Sequence, residues 1–326
     1  MLIDSYNRVH NYLRISLTDH CNLRCFYCIP EEDYIFSKQD QLMTSDEIFQ
    51  LSALFVKLGV NKIRLTGGEP LVRKDFPNIL EKLSTLPVKL TLTTNGVRIH
   101  EYMDLLKKNH CTSINLSLDT LNEDKFLLLT RRNHFQTVYN NMMSLVENGF
   151  QVKVNMVVMK GINADEVTDF VALTQQLPID MRFIEFMPFE GNHWSAGKVV
   201  TMTEMLEQIQ TKFEFDALPH EANETAKRFK VINHKGSFAI ISTMSAPFCG
   251  DCNRLRLTAD GKMKNCLFSN SETDLRSALR NNEDVERLIQ QNLKQKAKAL
   301  GGQFDTDFEH LSPEQLKNRS MISIGG

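Results

Sequence analysis

From residue 13 to about 188, short runs rich in β-branched residues alternate with longer runs of amphipathic, helix-like spacing. The strand-like runs are "LRISLT" (13–18), "KIRLTGG" (62–68), "KLTLTTNG" (89–96), "SINLSLD" (113–119), "VKVNMVVMKG" (152–161) and "MRFIEFMP" (181–188). Among the helical runs, Thr44 to Leu58 opens with Thr44 and Glu47 at capping-box spacing and stops at Gly59. Six such β/α units in series predict a parallel sheet, either doubly wound or curled into a barrel.

The strands carry a second period. Arg14, Ser16 and Thr18 share one face, as do Arg64 and Thr66, then Thr91, Thr93 and Asn95, then Ser117 and Asp119, then Lys153 and Asn155. Strands buried on both faces read as nearly continuous apolar runs, and these do not. A polar face repeated on strand after strand predicts a barrel with a wet interior and active residues near the C-terminal strand ends. A sheet with one solvated face would give the same pattern.

Beyond Pro188 the rhythm breaks. "FEGNHWSAGK" reads as a loop and "VTMTEMLEQIQTKF" as a helix, while "RFKVINHKGSFAIISTM" reads as strands paired around Lys235–Gly236. "NRLRLTADGKMKNCLF" reads as a hairpin turned at Asp260–Gly261, residues 272–300 as one charged helix, and "NRSMISIGG" as a polar tail. The expected division is a barrel region over 1–190 and a C-terminal region over 191–326.

Charge and composition narrow the function classes. Thirty-eight Lys plus Arg against 40 Asp plus Glu leave a formal charge of −2, so no global basic field points to nucleic acid and an anion must be held by a local cluster. No run of eighteen apolar residues occurs, which predicts a cytoplasmic chain and no membrane span. Seven cysteines in such a chain are expected to be metal ligands or catalytic groups rather than disulfides.

Six of the seven fall into two groups. Cys21, Cys25 and Cys28 stand in "LTDHCNLRCFYC", and Cys249, Cys252 and Cys266 in "CGDCNRLRLTADGKMKNC". Either triad suits a zinc ion completed by a distant ligand, or an iron–sulfur cluster with one iron left open. Cys111 reads as a small buried hydrophobe, and Trp194 carries no assigned role.

The C-x3-C-x2-C spacing with Tyr27 before its last cysteine, followed by "TGGEP" (66–70), resembles the signature of the radical S-adenosylmethionine enzymes. With "TTNG", "NLSLD", "VKVN", "RFIEFMP", "CNRLRL" and the terminal Gly325–Gly326, essentially the whole chain resembles the GTP 3′,8-cyclases of molybdenum cofactor biosynthesis. The resemblance implies an α/β fold, an incomplete six-unit β/α barrel whose open side is closed by a C-terminal α+β extension. It implies two [4Fe–4S] clusters, the first on Cys21, Cys25 and Cys28 and the second on Cys249, Cys252 and Cys266. Tyr27, Gly68, Ser117 and Met187 would lie against S-adenosylmethionine, with Glu69 supporting the glycine turn. Arg14, Arg64, Thr93, Lys153, Arg182, Arg254 and Arg256 would contact GTP. Arg254, Arg256, Gly325 and Gly326 would assist catalysis.

The implied reaction is removal of the ribose C3′ hydrogen by a 5′-deoxyadenosyl radical and closure onto guanine C8, giving 3′,8-cyclo-7,8-dihydro-GTP. Implied partners are GTP, an electron donor and a downstream cyclic pyranopterin monophosphate synthase, and the resemblance allows a homodimer. A radical maturase acting on a peptide and a zinc-binding interaction module are the competing readings.

Overall fold

A computed structural model describes residues 1–29, 34–305, 307–311 and 316–325. Gly326 lies outside the described residues, as do four positions just after the first cysteine triad. The six expected units are present as β1 (Tyr12–Ser16), α1 (Ser45–Lys57), β2 (Lys62–Thr66), α2 (Phe76–Ser84), β3 (Lys89–Thr94), α3 (Met103–Lys108), β4 (Ser113–Ser117), α4 (Glu123–Thr130), α5 (Phe135–Glu147), β5 (Gln151–Val158), α6 (Val167–Leu173) and β6 (Asp180–Glu185). Each strand stops short of its sequence run, because Gly67–Gly68, Asn95–Gly96 and Leu118–Asp119 turn away from the ladder at the C-terminal ends. Thr44 caps α1 through a complete capping box with Glu47.

The C-terminal region continues as α7 (Met202–Gln210), β7 (Phe215–Ala217), β8 (Lys227–Val231), β9 (Ser237–Ile241), β10 (Arg254–Leu257), β11 (Lys262–Lys264), β12 (Thr273–Asp274), α8 (Leu275–Arg280), α9 (Val285–Lys294) and α10 (Met321–Ile324). Two expectations are corrected here. Residues 272–300 are not one helix: a short strand leads into α8, and α9 starts afresh. The break lies at Asn282, which is left-handed at φ 54°, and at Asp284, whose carboxylate caps α9 by accepting from Arg287 N. Nor is the terminus merely a polar tail, since Ile322 and Ile324 are buried and α10 packs against Phe189, Phe268 and Leu300.

Among the described residues twelve strands form one sheet in the order β12-β11-β10-β1-β2-β3-β4-β5-β6-β9-β8-β7. Strands β1 to β6 are parallel, with β10 parallel to β1 at one edge and β9 parallel to β6 at the other. The barrel is therefore open, not closed, and the C-terminal region flanks the opening on both sides. One face is mainly apolar: Leu13, Ile15, Ile63, Leu65, Leu90, Leu92, Ile114, Leu116, Val152, Val154, Met181, Phe183, Leu255 and Leu257 join a single core with the helices. The opposite face carries the polar residues of every strand, as their period-2 spacing requires.

Candidate functional site

Strand register sets the lining of that polar face. Arg14 of β1 pairs across to Arg64 of β2 on one side and to Arg256 of β10 on the other. One step lower, Tyr12 lies between Lys62 and Arg254; at the top, Ser16 pairs with Thr66. Further round, Thr93, Asn115 and Lys153 are in register, and Asn155 pairs with Arg182. These seven cations, with Lys89 and Lys264 in register beside Lys62 and Arg256, share one face, although the whole chain carries a slight negative charge. Their mutual repulsion and burial show in their basicity. Burial, with Arg182 beside it, brings Lys153 down to about 8. Burial, with Arg14 and Arg254 beside it, brings Arg256 down to about 9. Such a face gains most by receiving a polyanion.

The cysteine triads stand at opposite ends of this face. Cys21 to Cys28 follow the C-terminal end of β1, while Cys249 and Cys252 precede the N-terminal end of its parallel neighbour β10. Cys266 follows β11, which runs antiparallel to β10 and so returns to the same end as Cys252. The five residues of β1 separate the two ends by about 13 Å of strand.

The surroundings of the triads differ. At the first, burial and then the Glu69 carboxylate raise the Cys21 thiol to about 11, and burial raises Cys25 and Cys28 further. Cys21 Sγ accepts from Leu23 N at 3.4 Å and from Asn95 Nδ2 at 3.6 Å. At the second, burial of Cys252 is outweighed by Arg254 and Lys296, which bring its thiol down to about 7. Lys296 Nζ lies 3.5 Å from Cys252 Sγ and also donates to the Arg254 and Asn265 carbonyls. Leu300 N donates to Cys249 Sγ at 3.5 Å. Among the described residues no group of three or more His, Cys, Asp or Glu side chains is placed to hold a single metal ion. Thiols already receiving N–H bonds fit iron–sulfur ligation, in which hydrogen bonds to sulfur help set the potential.

The residues expected around S-adenosylmethionine gather at the C-terminal strand ends beside the first triad. Gly68 follows β2, and a Cβ there would meet the Asp19 and His20 carbonyl oxygens at 2.4 and 2.5 Å, so only glycine permits this approach. Glu69 is buried and accepts from Leu71 N, Thr94 Oγ1 and Asn95 N, tying the glycine turn to the end of β3. Ser117 ends β4, and Met187 follows β6. Tyr27 donates its hydroxyl to Asp119 Oδ2 at 2.5 Å, and Asp119 in turn accepts from Val157 N. A glycine turn that brings backbone close, with Ser117, Tyr27 and Met187 beside it, fits an amino-acid-bearing cofactor.

The tail completes the lining. Arg256 donates to the Gly325 carbonyl at 2.6 Å. A Cβ on Gly325, which is left-handed at φ +86°, would meet Thr66 Oγ1 at 2.7 Å and Ser16 Cβ at 2.8 Å. Of the remaining expected residues, Arg64 donates to the Leu92 carbonyl and reaches Thr93 Oγ1 at 3.4 Å. Arg182 is held by Asp180 at 2.9 Å. Cys111 is fully buried, as expected. Trp194, left without a role, is a core residue whose indole donates to the Phe186 carbonyl.

Four residues of this region escaped the sequence reading. Tyr12 and Lys62 each precede a selected arginine by two positions on the same strand face, so the period-2 rule applied one step further would have found them. Asp119 was noted only as part of a polar strand face. Lys296 had no local signal, because it lies in the last turn region after α9 and meets Cys252 only through the fold.

The comparisons with known proteins agree with this geometry. Residues 15–174 match the model of the Radical SAM superfamily, and residues 179–301 that of Molybdenum Cofactor Synthesis C. The radical SAM match carries with it the use of S-adenosylmethionine and an iron–sulfur cluster. The GTP 3′,8-cyclase of Peptoclostridium acidaminophilum is 38% identical over 332 residues, covering 100% of this chain and 98% of the relative. The mitochondrial GTP 3′,8-cyclase of Arabidopsis thaliana is 46% identical over 333 residues, covering 100% and 84%. Molybdenum cofactor biosynthesis protein 1 of Homo sapiens is 46% identical over 330 residues, and there the match takes 99% of this chain but 51% of the relative. The chain thus spans about half the length of several curated relatives it matches. In fold it is similar to Streptococcus suis SuiB bound to precursor peptide SuiA, with a TM-score of 0.67 at 15% identity over 91% of this chain and 67% of that one. Two cysteine triads joined by a cationic strand face, together with 38% and 46% identity to the two cyclases over 98% and 84% of their lengths, lead to one conclusion: the chain belongs to the GTP 3′,8-cyclase family of radical S-adenosylmethionine proteins.

Proposed function

We propose that this protein is a GTP 3′,8-cyclase, a lyase that converts GTP to 3′,8-cyclo-7,8-dihydro-GTP in the first step of molybdenum cofactor biosynthesis. The observation that carries the reading is the cationic face of β10, β1 and β2 lying between the two triads, a site shaped for a polyphosphate with chemistry at both ends. Cys21, Cys25 and Cys28 would hold one [4Fe–4S] cluster and Cys249, Cys252 and Cys266 a second. Tyr27, Gly68, Ser117 and Met187 would hold S-adenosylmethionine, which together with an electron from the first cluster would supply the carbon radical that removes hydrogen.

The chain's own residues bind, orient and enclose. Arg14, Arg64, Lys153, Arg182, Arg254 and Arg256 neutralise the phosphates, and Thr93 accepts or donates beside Arg64. Arg256 also holds the tail by the Gly325 carbonyl, which supports a role for the terminal glycines in closing the site against water. GTP, an electron donor and a synthase that takes the cyclic product onward to cyclic pyranopterin monophosphate are the partners of this reading. A cytoplasmic location belongs to it too. Among the described residues no helix is long and apolar enough to cross a membrane.

The test is anaerobic reconstitution with iron and sulfide, then incubation with dithionite, S-adenosylmethionine and GTP. The expected result is deoxyadenosine release that depends on GTP, with loss of GTP to a cyclised guanosine. Deoxyadenosine formed while GTP stays intact would overturn the substrate assignment and turn attention to a peptide.

A further inference from the structure

Within the cationic face one side chain is out of character. Tyr12 points into it from β1, on the same side as Arg14, and its hydroxyl accepts from Arg64 Nε at 2.6 Å. Arg14 is hydrogen-bonded to the same phenol, and the Lys62 ammonium stands 4.4 Å from the ring centroid. The groups facing Tyr12 are thus Arg14 on its own strand, Lys62 and Arg64 on β2, and Arg254 and Arg256 on β10. All are cations. Asp180, which shares this face on β6, is engaged by Arg182 and Ser237. The phenol oxygen therefore occupies the position on Arg14 and Arg64 that an oxygen of an anionic ligand would take.

We propose that Tyr12 is a positioning residue, the resident counter-ion of the cationic face, which holds Arg14 and Arg64 oriented and yields them to phosphate oxygens by taking up a solvent proton when a nucleoside triphosphate binds. The electrostatics agree with the geometry. Burial works against ionisation of Tyr12, yet Arg64, Arg14 and Lys62 together draw it down to about 7 from the ordinary value of 10. A phenolate left beside bound phosphates would repel them, whereas the protonated phenol can donate to one. The balance is simple: phenolate plus one proton from water gives phenol, and no electron moves. The choice of ligand rests on the cyclase reading above.

Calorimetric titration of the reconstituted holoenzyme with GTP, at pH 8 in two buffers of different ionisation enthalpy, counts the protons taken up per nucleotide. We expect the parent to take up roughly half a proton or more beyond the Tyr12→Phe variant; Lys153 contributes to both proteins and cancels. We also expect the affinity of the parent to fall between pH 7 and pH 9 by about threefold or more beyond the fall that loss of the Lys153 charge gives the variant as well. Incorporating 3-fluorotyrosine at position 12, a more acidic phenol of nearly the same shape, should move that fall to lower pH, and it serves as the decisive test should Tyr12→Phe fail to fold. Equal proton uptake by parent and variant, or a profile indifferent to fluorination, would overturn the proposal while leaving the cyclase reading intact. Failure of the parent to bind GTP at all would overturn both.

Discussion

Arg256 shows how one residue serves two structures: it lies on the cationic face between Arg14 and Lys264 in register and also holds the tail through the Gly325 carbonyl. A charge-assisted bond from it to GTP predicts that Arg256→Ala costs about 1.5–3 kcal/mol, or roughly ten- to a hundredfold in affinity, measurable by calorimetry. A second buried group governs acid stability. His10 is fully enclosed, its Nε2 bonded to Asp4 Oδ2 at 3.1 Å, and burial, with Lys296 nearby, brings it down to about 4. The unfolded chain binds its proton from about pH 6.5 downward and the folded chain only near 4, so the unfolded state holds more protons in that window. Stability is therefore full above pH 6.5 and falls on the way to pH 4, by on the order of 2 kcal/mol. His10→Gln keeps an amide donor for Asp4 and should flatten that stretch of the Tm–pH curve; a curve unchanged from the parent would remove His10 from the account. The stakes extend beyond the group itself, since Asp4 also holds Arg8, which donates to the carbonyl of Cys249.

At the scale of elements, the β10–β11 hairpin is what brings Cys266 back to Cys249 and Cys252. Its turn depends on Gly261, left-handed at φ +81°, where a Cβ would meet Arg276 Cβ at 2.4 Å. Gly261→Ala should lower stability by more than about 1 kcal/mol and loosen the second triad, seen as a lower Tm together with lower iron content after reconstitution. This hairpin was legible in the chain because Asp260–Gly261 is a local turn signal between alternating residues. The same holds for α1, whose capping box lies within four consecutive residues. The helix expected over 272–300 failed for a related reason: charged residues suit either a helix or its caps, and Asp274 and Asp284 act as N-caps by accepting from Ser277 N and Arg287 N. Only packing of Leu275, Ala278, Ile289 and Leu293 on the core decided where each helix starts.

At the scale of the molecule, the tail is the test of closure. Gly325→Ala would drive a methyl group into Thr66 and Ser16 at the top of β1 and β2. We expect product formation to fall more than tenfold while Tm moves by no more than about 2 °C, because α10 retains its apolar contacts through Met321 and Ile324. A comparable loss of Tm would instead make the tail a stability element. The chain alone determined what depends on neighbours along it: the six β/α units, the apolar and polar strand faces, two three-thiol groups, and the arginines two positions apart on one strand. It did not determine what depends on residues far apart in sequence. That β10 joins β1 in parallel, so that Arg14 and Arg256 meet and the triads face each other from opposite ends, is decided by sheet order. That Lys296 reaches Cys252, and that Tyr12 rests between Arg14 and Arg64, are likewise outcomes of register and packing, because hydrogen bonds and charges act over a few ångströms of space and are indifferent to separation along the chain.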